Sequence, residues 1–276
     1  MRNKLLFLLI GILFPAVTFA NNSIETANRE VGIALGGHAL SYHEYSATAH
    51  YNPLDSESGR QPAARFRLGI QGRLFGVSNW YAHLDVNYAQ GITHYQGYLI
   101  NIASGAMSPY SSSTHNIIYD GTVRFGKGFA FGRCHTFQLT PEVVYSYYSW
   151  HRNAAVGNGG YLEVYTHQGV GVGVLGQVAL GRFVIGLQGT AERIVSASMT
   201  SALNAGQFKL GDHYYDSEEL SVDYRIDGPQ HLTFSFVHQH FLYGASPLEF
   251  VHGVGFLEPS SETISNSIYV GYAISY

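Results

Sequence analysis

The sequence predicts an all-β chain, a transmembrane antiparallel up-and-down β-barrel of about ten strands. Three observations predict it. Apolar or aromatic residues recur at every second position over segments of about ten residues, each bounded by turn residues, and a period of two puts them on one face of a strand. Short connections alternate with long ones, as the turns and loops at the two ends of a barrel do. The composition holds 21 Tyr, 16 Phe and 32 Gly, yet the mean hydropathy is −0.01. In a barrel, lipid-facing and lumen-facing residues cancel in that average.

The first strand is read from Glu30 to about Tyr45, with Val31, Ile33 and Leu35 outward and Glu30 and His38 inward. A polar loop, His50 to Gln61, carries the turn signals Asn52-Pro53 and Ser58-Gly59. Ala63 to Phe75 sets Phe66, Leu68, Ile70 and Leu74 against inward Arg65, Arg67, Gln71 and Arg73. Trp80 to Tyr95 turns His83, Asp85 and Asn87 inward, and a long uncharged connection, Gly97 to Ser113, follows. Thr114 to Phe129 places Asp120, Thr122 and Arg124 inside; Thr136 to Trp150 places Gln138, Thr140 and Glu142 there, with Pro141 predicting a bulge. Tyr161 to Leu180 turns Glu163, His167 and the glycines 169, 171 and 173 inward, leaving room for side chains from opposite strands.

Phe183 to Ala197 carries inward Gln188, Thr190 and Glu192. A loop, Ser198 to Asp212, leads to Tyr214 to Ile226, with Glu219, Asp223 and Arg225 inside, and Asp227-Gly228-Pro229 makes a tight turn. His231 to Tyr243 exposes Leu232, Phe234 and Phe236 before its alternation falters at His238 and His240. The last loop, Gly244 to Ser261, contains Leu248 to Leu257, a candidate extra extended pair above the membrane. The closing strand, Ile264 to Tyr276, alternates most cleanly and ends on an aromatic residue.

That closing strand resembles the last strand of bacterial outer-membrane β-barrels, which implies that Tyr272, Ile274 and Tyr276 act as a signal to the barrel assembly machinery. Residues 1–20 read as a secretory signal peptide: basic Arg2 and Lys4, apolar Leu5 to Leu13, and the small-x-small site Thr18-Phe19-Ala20. The expectation is therefore one barrel domain, 21–276, in the cell outer membrane, with both termini on the periplasmic side. Its surroundings are outer-membrane lipid and lipopolysaccharide. No later apolar run approaches the roughly 18 residues a spanning helix needs. The single cysteine, Cys134, has no partner for a disulfide. Removing Arg2 and Lys4 leaves 13 basic and 19 acidic side chains, a balance that speaks against a nucleic-acid partner.

The inward positions collect a predicted lumen ion-pair network: Arg65, Arg67, Arg73, Asp85, Asp120, Arg124, Glu142, Glu163, Glu192, Glu219, Asp223 and Arg225. Opposite charges in so narrow a barrel are expected to pair and fill it, because an unpaired buried charge is costly. Strand number and size resemble the omptins, the ten-stranded outer-membrane proteases. That resemblance implies two acidic residues in the second external loop and an Asp-x-His in the fourth, together activating a water. Here Asp212 and His213 fall near the second of these places, but they are adjacent, and the second long loop has no carboxylate. The His-x-Ser pair through which outer-membrane phospholipases and lipid A deacylases resemble each other does not occur at any histidine. His238 and His240 project the same way, with His252 in the neighbouring loop as a third candidate metal ligand. Together these features point to a surface-exposed structural, adhesive or binding protein without enzymatic activity, acting on an extracellular ligand through its loops. No cofactor is expected. The alternatives are an omptin-like protease and a narrow pore.

Overall fold

The computed structural model describes residues 23–45, 53–100, 106–132, 136–153, 160–202, 206–251 and 254–276; the side chains of 99, 100, 212, 213, 251 and 254 are outside that description. The expected signal peptide, 1–20, falls outside it too. A short helix, α1 (Ser23–Ala27), precedes fourteen strands: β1 (Glu30–Tyr45), β2 (Asp55–Leu74), β3 (Val77–Ile100), β4 (Met107–Lys127), β5 (Phe129–Phe131), β6 (Phe137–Asn153), β7 (Leu162–Leu180), β8 (Phe183–Ser201), β9 (Gly206–Lys209), β10 (Gly211–Asp227), β11 (Gln230–Gly244), β12 (Glu249–Val251), β13 (Val254–Phe256) and β14 (Ser260–Ser275). No described helix is long and apolar enough to cross a membrane.

Ten of the strands are staves of one closed antiparallel ring, β1-β2-β3-β4-β6-β7-β8-β10-β11-β14 and back to β1. Each stave pairs with its neighbour in the chain, so the barrel is up-and-down, as predicted. The closing seam runs from Glu30↔Ser275 to Tyr45↔Ser260 without a register shift. Gly36 permits it, because a Cβ there would collide with the backbone oxygen of Ile268. Strand β5 extends the pairing of β4 with β6, β9 pairs with β8, and β12 and β13 form a separate hairpin within the predicted 248–257 segment.

The outer face carries the membrane band. Val31, Ile33 and Leu35 on β1, Val170, Val172 and Val174 on β7, and Ile268, Val270, Tyr272 and Ile274 on β14 all stand exposed. Exposure of this much hydrocarbon is stable only against lipid. Aromatic pairs edge the band toward the turns, with Trp80 on Phe125 at 5.1 Å and Phe183 on Tyr224 at 4.7 Å. Tyr88 on Tyr119 at 5.2 Å, with Tyr145 and Tyr147, edges it toward the loops. Trp80 and Tyr88 are separated by about 27 Å of strand at about 3.4 Å per residue, or roughly 21 Å across the membrane at a tilt of ~40°. Beyond the tyrosines the outward residues become polar: Ser41 and His43 on β1, Arg60 on β2, His115 on β4, Arg193 on β8, His238 and His240 on β11.

Several expectations are corrected by these long staves. The segments 55–61, 97–100, 107–113, 198–201 and 206–209 are paired strand rather than loop. They rise above the band, where lipid no longer demands an apolar outer residue, so the alternation that marks a strand in the sequence fades. Alternation does not falter at His238 and His240: the inner residues there are Phe241 and Tyr243, both buried, and only the polarity of the two faces exchanges. Pro141 makes no bulge. The β6 register with β7 is continuous through Pro141↔Val174, and the proline sits where the β4 and β5 pairings leave a gap, at the position that needs no N–H donor. The space beside glycines 169 and 171 is filled from flanking strands, not opposite ones: a Cβ on Gly169 would meet the Glu192 carboxylate at 2.5 Å and Ser146 Oγ at 2.6 Å.

Candidate functional site

The lumen is filled in layers. At the turn end α1 enters the barrel mouth, packing Ile24 and Ala27 on Ala179 and Val184. Asn28 Nδ2 donates to Gln71 at 2.7 Å and to Gln177 at 2.8 Å, and Gln71 bonds Gln138 at 3.0 Å. Next comes a charged layer centred on Asp85. Its carboxylate takes Arg65 at 2.7 Å, His83 at 3.1 Å, Arg67 at 3.7 Å and Arg124, while Arg65 and Arg67 also grip Glu219 at 2.7 and 2.9 Å. An aromatic layer follows, in which His167 stacks on Tyr148 at 5.0 Å and bonds the Tyr243 hydroxyl, with Phe241 4.9 Å from Tyr148.

Of the residues named for the lumen, Arg65, Arg67, Asp85, Arg124 and Glu219 form ion pairs with one another, and Glu163 pairs with Arg152. Asp120, Glu142 and Glu192 point inward but take neutral donors: Asn87 at 2.6 Å, Gln188 at 2.6 Å and Ser146 at 2.6 Å. Asp223 takes His231 at 2.7 Å. Arg73 is exposed and Arg225 half-buried near the turn end, and among the described residues neither forms an ion pair. At the barrel's rim water solvates them, so no buried partner is required.

Above the band lies the most unusual chemistry, a chamber of five carboxylates around one guanidinium. Arg152 on β6 donates to Glu57 at 2.7 Å and to Glu163 at 2.6 Å, with Glu44 at 3.9 Å. Its guanidinium stands over the rings of Tyr95, Tyr42 and Trp150 at 5.2, 5.4 and 5.7 Å. Glu57 is also held by Thr93 and by Asn116 at 2.6 Å, and Asn116 in turn accepts from Trp150 Nε1 at 2.8 Å. Tyr42 donates to Glu44 at 2.6 Å, Tyr165 to Glu258 at 2.7 Å, and Tyr95 to Asp55 at 3.1 Å. The strand residues among these face inward because they hold the alternation begun inside the membrane, whereas Glu258 enters from the connection between β13 and β14.

One guanidinium cannot neutralise five carboxylates. Burial, reinforced by the neighbouring Asp55, pushes Glu44 up to about 8. Burial likewise raises Asp55 and Glu163, and burial with Glu44 and Glu163 alongside holds Glu258 well above the carboxylate range. Burial would lower Arg152, but Glu163, Glu57 and Asp55 outweigh it and keep the guanidinium charged. A carboxyl group raised on folding binds its proton more tightly in the folded state, so stability falls as pH rises from the unfolded value toward the folded one. Loop-end protection against hydrogen exchange is thus expected to decline between pH 5 and pH 8, and Glu44→Gln to flatten that decline. An unchanged slope in the variant would show that Glu44 does not carry the proton.

Asp55 also borders an open cleft of about 460 Å³ between the tips of β2, β3 and β4, lined by Pro53, Gln96, Tyr98, Tyr110 and Ser111. Sequence reading missed Glu44, Asp55, Glu57, Arg152 and Glu258, because the polar segments holding most of them read as loop. The available signal was the run Tyr148, Trp150, Arg152, which keeps one face past the predicted strand end.

The other predicted positions are dispersed. A register shift between Gly211 and His213 inserts Asp212 as an extra residue in β10, and the side chains of Asp212 and His213 fall outside the described residues. His238 bonds Asn266 at 2.9 Å on the outer wall, and His240 is held between Asp216 at 3.3 Å and Glu262 at 2.9 Å. His252 falls outside the described residues. Tyr272, Ile274 and Tyr276 stand on the outer face, and the Tyr276 hydroxyl reaches Gly69 O at 2.9 Å.

A closed ring of ten staves in chain order, an apolar band with aromatic edges and a filled polar lumen define an outer-membrane β-barrel. No family model matches the sequence, and no curated protein matches it. Among solved structures the chain is similar to the outer membrane protease OmpT from Escherichia coli, with a TM-score of 0.54 at 9% identity over 90% of this chain and 97% of that one. It also overlaps the β-domain of the Bordetella autotransporter BrkA (TM-score 0.38, 12% identity, 90% and 100% covered) and Neisserial surface protein A (0.34, 10%, 89% and 97%). The likeness to OmpT is one of fold.

Proposed function

We propose that this barrel is a closed, non-conducting surface protein that binds an extracellular ligand at its loop end. The observation that carries the reading is the filled lumen beneath an elevated, cleft-bearing rim. Two cavities between the inner layers measure about 50 and 10 Å³, room for a few waters and about one at roughly 10–15 Å³ each, and the side-chain layers that separate them support the closed reading. The rim cleft, by contrast, is open and lined by tyrosine, serine, glutamine and proline, a surface suited to adaptable polar recognition. Its acidic floor at Asp55 favours a neutral or cationic ligand, such as a glycan or a basic peptide segment. Outer-membrane lipid and lipopolysaccharide surround the band, and the assembly machinery reads the closing strand.

Purified barrel in planar bilayers is expected to give no unitary current steps; steps at neutral pH would overturn the closed reading. Cells displaying the barrel are expected to retain glycan or peptide probes that a Tyr98→Ala, Tyr110→Ala variant loses. A second reading, proteolysis at the loop end, rests on the fold shared with an outer membrane protease and on the Asp55 carboxyl in the cleft, with Glu44 buried behind it. Peptide cleavage abolished by Glu44→Gln, or by Asp212→Ala and His213→Ala, would favour it over simple binding.

A further inference from the structure

Among the buried polar atoms without a hydrogen-bond partner, one group gathers two carboxylates and an imidazole. Glu30 on β1, Asp223 on β10 and His231 on β11 bring one carboxylate oxygen each and one ring nitrogen within 4.8 Å of one another. Glu30 is 3% exposed and His231 1%. Glu30 Oε2 and Asp223 Oδ2 are buried, and no donor reaches either. The other Asp223 oxygen meets His231 Nδ1 at 2.7 Å, while His231 Nε2 lies 3.3 Å from Ser275 Oγ.

The guanidinium that ion-pairs with Glu30 does not settle the charge. Arg67 stands 4.0 Å from Glu30 Oε1 and is already engaged by Glu219 at 2.9 Å and Asp85 at 3.7 Å. A cavity of about 50 Å³ adjoins the group, lined by Glu30, Asp223, Arg67 and His83 among others. Two buried carboxylates with donorless oxygens next to an imidazole are costly as they stand. A cation accepting one oxygen from each and the ring nitrogen removes that cost.

We propose that Glu30, Asp223 and His231 form a binding site for a first-row divalent metal ion of the zinc class. One imidazole with two carboxylates suits such an ion, whereas calcium and magnesium prefer oxygen ligands alone. The three residues come from strands on both sides of β14, since β1 and β11 each pair with it. A bound ion therefore clips the first stave to the β10–β11 hairpin across the strand that closes the ring.

The test uses the full barrel, refolded in detergent, stripped with chelator and desalted. Titration with Zn2+ is expected to show one equivalent per chain, and Co2+ to give ligand-field bands of a nitrogen- and oxygen-ligated ion. Glu30→Gln and His231→Ala are each expected to weaken Zn2+ at least tenfold, while a His238→Ala, His240→Ala variant on the outer wall binds as the parent does. Heat-shifted electrophoretic mobility reports folding, and if His231→Ala does not fold, the isosteric Glu30→Gln decides. The proposal is overturned if the parent retains no stoichiometric Zn2+, if Glu30→Gln binds it equally well, or if Ca2+ competes at equal concentration.

Discussion

Asp85→Ala is expected to cost 3–5 kcal/mol of barrel stability, the range for removing one partner from a buried ion pair. Asp85 is the hub of the charged layer, touching Arg65, Arg67, Arg124 and His83 with a side chain 1% exposed. Arg65 and Arg67 keep Glu219 after the change, but Arg124 has no other ion-pair partner among the described residues. The cost is therefore that of a buried guanidinium left facing an apolar methyl, not the sum of four separate pairings. Asp85→Asn retains an acceptor oxygen and the volume, and should fall between. Arg73→Ala, at the solvated rim, should stay within about 0.5 kcal/mol of the parent. Urea unfolding in lipid vesicles, followed through Trp80 and Trp150, measures all three. An Asp85→Ala barrel within about 1 kcal/mol of the parent would mean that water enters this layer and solvates Arg124.

How much of this is legible in the sequence depends on what the surroundings demand of each residue. Ile268, Val270, Tyr272 and Ile274 face lipid and Ser265, Ser267 and Ala273 do not, so the sequence of β14 states its orientation outright. Arg65, Asp85 and Glu219 can likewise be placed in one lumen, because charge on the inner face of a membrane strand has nowhere else to go. Above the band that logic lapses. Both faces of β2 at 55–60 are polar, the outer one for water and the inner one for Arg152, and a strand polar on both faces looks like a loop. The meeting of Glu57, Glu163 and Arg152 is hidden for a second reason. It joins β2, β6 and β7, so it depends on closure of the ring and on the tilt of the staves, and neither is written in local alternation. The helix α1 escapes notice because five residues are too few to show a helical period.

Arg152→Met should carry a penalty that depends steeply on pH. The guanidinium is 3% exposed and is the only cation that ion-pairs with Glu44, Glu57 and Glu163 among the described residues. Without it, any carboxylate ionised in the chamber is buried and uncompensated, and at pH 8 the expected loss is again about 3–5 kcal/mol. Lowering the pH to 5 supplies the missing neutralisation by another route. Glu44, held near 8 by burial and by Asp55, is protonated there, and burial shifts Asp55, Glu163 and Glu258 in the same direction. A group with a raised folded value stabilises the folded state below that value, so the penalty of the substitution shrinks on acidification. The effect is local as well as pH-dependent. Hydrogen exchange at the loop-end halves of β2, β6 and β7 should accelerate in the variant at pH 8 and recover at pH 5, while the turn-end halves around Asp85 stay protected at both. Equal acceleration at the two pH values would mean that the chamber holds its carboxylates ionised without Arg152, with water rather than protons as their counterpart.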